Sequence, residues 1–138
     1  MVSRATTGRS RKKDPARQLA IEFARLAEAN NAEKIVILDL RGVSPVTDYF
    51  VICTGTSGRQ MRTVAEELNR CGESLDQGVW HVEGAETADW IVMDFVDVVV
   101  HLFDQPHREY YDLELIWGEA PRVRWRRPAT KTAGPDKQ

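Results

Sequence analysis

The chain has 138 residues, a length that suits one domain with a single modest hydrophobic core. Hydrophobic residues make up 42% of it and four are tryptophans, which excludes a disordered protein. Because no run approaches the roughly 20 apolar residues of a membrane span and no apolar leader opens the chain, we expect a cytoplasmic protein without a membrane anchor. Its two cysteines, Cys53 and Cys71, are expected to be reduced.

The formal net charge of −2 conceals an uneven distribution. Residues 18–119 carry 19 acidic and 7 basic side chains, whereas residues 1–17 and 120–138 each carry six basic side chains and one acidic. This pattern predicts a flexible basic tail over residues 1–14, an acidic domain over 15–118 and a second flexible basic tail over 119–138. The domain suits a basic protein surface, and the tails either contact an anion such as RNA or are merely solvated.

The first half of the chain predicts two helices and two strands. Apolar residues at helical spacing mark a helix over residues 15–31, with Asp14 as its N-cap and Pro15 in its first turn. Residues 35–40 are almost continuously apolar and residues 49–54 are rich in β-branched and aromatic side chains, which is typical of buried strands. After a Gly-Thr-Ser-Gly loop, a helix over residues 58–71 is capped by Ser57.

The second half predicts three strands, at residues 79–82, 90–94 and 97–103, and a short helix after Pro106. The resulting order, α-β-β-α-β-β-β-α, is typical of an α/β fold with a mixed central sheet flanked by helices. The passage from the second strand through the helix to residues 79–82 is expected to be a right-handed crossover between parallel strands.

Residues 90–103 predict a hairpin with two unlike faces. A two-residue turn at Phe95 and Val96 would pair Asp94 with Asp97 and Trp90 with His101. One face of this hairpin is entirely apolar, whereas the other combines aromatic and polar side chains: Trp90, Asp94, Asp97, His101 and Phe103. A large aromatic side chain among polar groups is the composition of a protein-binding surface, so we predict that this face docks a partner. The alternative is a solvated face or a different register.

Chemical sites are poorly supported by the sequence. Asp94 and Asp97 could hold Mg²⁺ beside a phosphate at the Gly-Thr-Ser-Gly loop for metal-assisted phosphoryl transfer, but no P-loop lysine follows that loop. Cys53 has no neighbouring base, and the three histidines lack zinc-site spacing. We therefore predict no catalytic residue, no metal ligand and no cofactor, and a binding protein in preference to an enzyme.

Three blocks of sequence resemble the ribosome silencing factor family, also called iojap-related. They are TDYFVICTGTS at residues 47–57, then VEG, ADWIVMD and DVVVH between residues 82 and 101, then REYYDLELIW at residues 108–117. The similarity extends over about residues 17–117.

The resemblance implies a nucleotidyltransferase-like fold without catalysis. It implies a translation repressor that binds large-subunit ribosomal protein fourteen and blocks joining of the small subunit when nutrients are short, and a homodimer. It also implies that Trp90, and with it Tyr110 and Tyr111, contacts the ribosomal protein. Four arginines of the C-terminal tail are candidates for contact with ribosomal RNA: Arg122, Arg124, Arg126 and Arg127. The alternatives are an active nucleotidyltransferase and a ribosome-assembly factor that uses the same surface.

Overall fold

The computed structural model of the protein describes residues 14–127. Its helices and strands follow one another in this order: α1 (Pro15–Ala29), β1 (Glu33–Asp39), β2 (Tyr49–Thr54), α2 (Gly58–Ser74), β3 (His81–Glu83), β4 (Trp90–Asp94), β5 (Val98–Phe103), α3 (Gln105–Tyr111) and α4 (Leu113–Ile116). The predicted class, a mixed sheet with helices, is confirmed. The predicted order ended with one helix, whereas the chain forms two because Asp112 adopts a left-handed conformation, with φ of 41°, between them.

Both long helices begin at the predicted caps. The Asp14 carboxylate accepts a hydrogen bond from the backbone N–H of Arg17 at 3.1 Å, and the Ser57 hydroxyl accepts one from that of Gln60 at 3.0 Å. These bonds satisfy N–H groups that have no partner within the helix. Each helix then buries one apolar stripe, which includes Leu19 and Phe23 in α1 and Leu68 in α2.

The five strands form one sheet in the order β1-β2-β5-β4-β3. Only the central pair, β2 and β5, is parallel, so the sheet is mixed. The prediction that β2 and β3 share a direction agrees with this topology. They are not neighbours, however, because β5 and β4 lie between them.

The predicted hairpin register is wrong by two residues. Trp90 pairs with Phe103, Val92 with His101 and Asp94 with Val99. The backbone N–H of Phe95 donates to the carbonyl of Val98, so the turn is formed by Val96 and Asp97 and is displaced by one residue from the predicted one. Asp97 therefore lies in the turn and does not oppose Asp94. A slip of two residues leaves the side chains within β4 and β5 on their predicted faces, since side chains alternate with a period of two.

The two faces of the sheet bury separate clusters. Helices α1 and α2 cover the first face and form the main core with Tyr49, Val51 and Val100. The second face buries Leu38, Ile52 and Phe103 beneath the chain that follows α3. The second cover is thin, consisting of α4 and the residues up to Ala120.

The chain beyond residue 118 remains part of the domain. Val123 and Trp125 are buried in the main core, and the backbone around Arg122 pairs with the outer edge of β1. Apolar residues alternating with arginines fit an edge strand better than a solvated tail. The predicted boundary at residue 118 is therefore too early. The remainder of the two predicted tails, residues 1–13 and 128–138, lies outside the described part of the chain.

Candidate protein-docking surface

An aromatic cluster occupies the second face of the sheet. The Trp90 ring lies on Phe103, with ring centroids 4.9 Å apart, and the Tyr111 ring lies 4.4 Å from it by the same measure. Phe50 and Trp117 extend the cluster toward β1. The predicted face is therefore formed, but Phe103 and His101 are buried beneath it and cannot themselves meet a partner.

The backbone near Gly84 helps to position Trp90. Gly84 has a φ of +87°, and a Cβ there would collide with the carbonyl oxygen of Trp90. Only glycine combines that dihedral with so close an approach. This approach gives a structural reason for the glycine in the Val-Glu-Gly block.

His101 is a buried, neutral component of this cluster. Its Nδ1 accepts a hydrogen bond from Trp90 Nε1–H at 3.1 Å, so the ring proton lies on Nε2, which has no hydrogen-bond partner among residues 14–127. Burial lowers the pKa of His101 to about 4. This histidine fixes the orientation of the Trp90 ring by accepting its hydrogen bond.

The buried histidine predicts a stability that falls in mild acid. In the unfolded chain the pKa of His101 returns to about 6.5, so between pH 6.5 and pH 4 the unfolded state binds a proton that the folded state does not. We expect its contribution to lower the free energy of unfolding by about 2 kcal/mol between pH 6.5 and pH 5. Urea unfolding at a series of pH values measures this change.

His101→Asn provides the matched control for that titration. An asparagine amide offers an acceptor to Trp90 Nε1–H but does not titrate, so the dependence on pH over this window should become shallower. An unchanged slope in the variant would show that other groups cause the acid sensitivity.

The accessible part of this region is a surface on α3 and α4. Tyr110 is 80% exposed, Leu115 75% and Ile116 65%, and Tyr111 is also exposed beside Trp90. We call these four residues the α3–α4 surface. Tyr110 and Tyr111 were predicted as contacts, but Leu115 and Ile116 were not. The apolar residues that follow Leu113 in the sequence could have indicated this exposure, because a helix of four residues cannot bury all of them.

Arg108 holds α3 and α4 against the sheet. It is buried and donates to the Thr54 hydroxyl on β2 at 2.8 Å and to the Glu114 carboxylate, through Nη2, at 2.9 Å. The Arg108 guanidinium is the main reason that the pKa of Glu114 lies below its usual value. A buried guanidinium with these partners fixes the angle between two short helices that have little core of their own. No pattern in the sequence predicted this role.

The two predicted acidic residues lie at one end of the sheet and do not form a pair. Asp94 is half-buried and accepts a hydrogen bond from the backbone N–H of Val96 at 2.7 Å, whereas Asp97 is exposed in the turn. The Gly-Thr-Ser-Gly loop follows Thr54 at the opposite end, since Tyr49 pairs with Val98 and Thr54 with Phe103. Strands of this length separate those ends by about 17 Å, so the two acids and the loop cannot share a metal-bound phosphate.

An open cleft of about 710 Å³ lies at the loop end of the sheet, between the Gly-Thr-Ser-Gly loop and the start of α3. Beside it, ligand atoms of Asp89, Asp104 and His107 lie within 4.8 Å of one another. These are the described residues best placed to hold a metal. Asp104 is already used as the N-cap of α3, where its carboxylate accepts from the backbone N–H of His107 at 2.9 Å.

Cys53 shows no sign of nucleophilic chemistry. It lies fully buried in β2, where burial raises the pKa of its thiol to about 12. A thiol that stays protonated is a poor nucleophile.

The four arginines proposed from the sequence lie along the C-terminal segment, and all are exposed. The guanidinium of Arg126 lies over the Trp125 ring at 4.8 Å from its centroid and pairs with Glu28 at 3.4 Å. Arg122 occupies the short bridge to β1. The four arginines lie beside α1 and β1, on the edge of the sheet opposite β3, and we call them the basic margin.

Within residues 14–127, no helix has the length and apolar character to cross a membrane.

Known proteins similar to this chain connect the fold with the ribosome. The family model described as "Ribosomal silencing factor during starvation" matches residues 13–138.

One similar protein is the ribosomal silencing factor of Halalkalibacterium halodurans, 39% identical over 106 residues that cover 77% of this chain and 88% of that protein. Another is the mouse protein named mitochondrial assembly of ribosomal large subunit protein 1, 33% identical over 67% of this chain and 42% of its own length. A crystal structure of a Bacillus halodurans protein superposes with a TM-score of 0.65 at 36% identity, covering 78% of this chain and 94% of that one. None of these names describes an enzyme. The chain belongs to the ribosomal silencing factor family.

Proposed function

We propose that the protein represses translation by binding the large ribosomal subunit through large-subunit ribosomal protein fourteen, which prevents the small subunit from joining. It acts in the cytoplasm when nutrients are short. The observation that carries the proposal is the α3–α4 surface, an exposed aromatic and aliphatic surface on a chain of this family. Blocking a subunit interface requires affinity and bulk but no catalytic group.

The charges around this surface support a basic protein partner. Glu109, Asp112 and Glu119 are exposed on or just after the two helices that carry it. Acidic groups around an apolar centre favour a basic protein surface and oppose docking onto RNA phosphates. The α3–α4 surface would therefore contact ribosomal protein and not the RNA beside it.

Sedimentation of purified subunits tests the proposal directly. Mixing the protein with large and small subunits should leave free subunits at a magnesium concentration that otherwise joins them, and the protein should migrate with the large subunit. Complete joining together with no protein in the large-subunit fraction would refute it.

We further propose that the basic margin contacts ribosomal RNA. Removing residues 120–138 would be a poor test because it deletes the buried Val123 and Trp125. A better test is one triple variant, in which glutamine replaces Arg124, Arg126 and Arg127, compared with the wild type. Affinity for the large subunit should then decrease at low salt, and the slope of log affinity against log salt should become shallower by about one for each phosphate that an arginine no longer neutralises. Equal slopes for the two proteins would show that these arginines do not touch RNA.

Two further proposals rest on the family alone: the protein forms a homodimer, and its fold descends from nucleotidyltransferases. Analytical ultracentrifugation tests the dimer. An assembly role on the same surface is the second candidate function, favoured by the name of the mouse relative. Accumulation of immature large subunits in a deletion strain during growth in rich medium would support assembly, whereas a defect confined to starvation would support silencing.

A further inference from the structure

Within residues 14–127, the outer edge of β3 is open along its whole length, and an exposed tryptophan lies directly before it. The backbone of residues 121–123 pairs with residues 37–39 on the outer side of β1, whereas within the described chain β3 pairs with β4 only. Trp80, directly before β3, is 73% exposed, and Val82 within β3 is also exposed. An uncovered edge strand offers unpaired backbone groups to another strand, and a large aromatic residue beside it is unusual unless something covers it.

This edge is strongly acidic. Residues 71–107 contain eight Asp and Glu but no Lys or Arg. Four of the acids belong to the segments around Trp80: Glu73, Asp76, Asp94 and Asp97. Within the described chain none of these four forms an ion pair. The backbone N–H of Trp80 donates to the Asp94 carbonyl at 2.7 Å, which places Trp80 beside Asp94.

The edge is separate from the α3–α4 surface. Trp80 lies beside the end of β4 at Asp94, whereas Trp90 begins the strand, four residues away. Extended strands rise about 3.3 Å per residue, so the two tryptophans stand near opposite ends of β4, roughly 13 Å apart along the strand. A partner bound at one of them leaves the other accessible.

We propose that the open edge of β3 binds an extended, Lys/Arg-rich protein segment by strand addition. The segment pairs with the β3 backbone, its cationic side chains lie near Glu83 and Asp94, and one of them covers the Trp80 ring in a cation–π contact. A second copy of this chain fits less well, because pairing two β3 edges would oppose two acidic surfaces. Such binding goes beyond the proposed function, since it does not require ribosomal protein fourteen.

A short model peptide tests the edge in the full-length protein. The probe is a fluorescein-labelled octapeptide of alternating lysine and threonine, and its control has glutamate in place of lysine. Fluorescence anisotropy should show binding of the lysine peptide alone, weakening as salt increases. Amide hydrogen exchange should slow at residues 81–83 when the peptide binds, which marks strand addition and not diffuse charge attraction.

Two variants distinguish the β3 edge from the α3–α4 surface. Trp80→Ala should weaken peptide binding at least tenfold without changing thermal stability, since the side chain is exposed. Tyr110→Ala should leave peptide binding unchanged while weakening binding to the large subunit. Each of the two proposals can therefore be refuted without refuting the other. Equal peptide affinity in the wild type and Trp80→Ala, or a dimer that Trp80→Ala dissociates, would overturn the proposal.

Discussion

Leu115→Asp should reduce the affinity of the protein for the large ribosomal subunit by about 100-fold, which corresponds to roughly 3 kcal/mol. Leu115 is 75% exposed on α4, so its replacement leaves the core intact, but a carboxylate at the centre of an apolar interface must be desolvated without a partner. Sedimentation of labelled protein with purified large subunits measures the loss. Subunit joining should return to its uninhibited level at the same protein concentration.

The matched control is Val46→Asp. Val46 is 81% exposed in the loop between β1 and β2, so it introduces the same charge at an exposed aliphatic position away from the α3–α4 surface. This variant should bind and inhibit like the wild type. If both variants lost binding equally, added negative charge would explain the result, and the α3–α4 surface would have no special role.

Trp90 is a less suitable probe of docking than the sequence suggested. It stacks on the fully buried Phe103 and donates a hydrogen bond to the buried His101. Trp90→Glu would place a charge next to that cluster and remove a hydrogen-bond donor, so a loss of binding could come from loss of folding. Leu115 and Tyr110 test the surface without that ambiguity.

The sequence predicted the local structure well because each feature had a local physical cause. The caps at Asp14 and Ser57 depend on a side chain that meets a backbone group three residues away. The strand at residues 49–54 depends on an apolar run, and the faces of residues 90–103 depend on simple alternation. All of these are properties of neighbouring residues.

The features that the sequence predicted wrongly depend on contacts between residues that are distant in the chain. The register of β4 and β5 is set partly by the entry into β2, where the backbone N–H groups of Asp48 and Tyr49 donate to the carbonyl of Asp97 in the turn. The burial of Trp125 depends on packing against α1, where Arg25 donates to its backbone carbonyl across 100 residues of sequence. The burial of His101 and Phe103 similarly depends on a cover that arrives only with α3 and α4. Alternation and charge counts contain no information about such contacts.

Glu114→Gln should lower the free energy of unfolding by about 3 kcal/mol, because it leaves the Arg108 guanidinium buried without its carboxylate. Arg108 Nε and Nη2 donate to the two carboxylate oxygens of Glu114 at 3.1 and 2.9 Å, and an amide offers only one oxygen. The midpoint of thermal unfolding should decrease by roughly 10 °C. Affinity for the large subunit should also decrease, since Arg108 fixes the helices that carry Tyr110 and Leu115.

The double variant Arg108→Met/Glu114→Leu separates charge from geometry. Removing both partners leaves no buried charge, so stability should recover most of what Glu114→Gln loses. Binding should not recover to the same extent, because an apolar pair does not reproduce the hydrogen bonds that join α3 to Thr54 and to α4. Recovery of stability without recovery of binding would identify Arg108 as a positioning residue for the α3–α4 surface. Full recovery of both would show that the ion pair contributes only to folding.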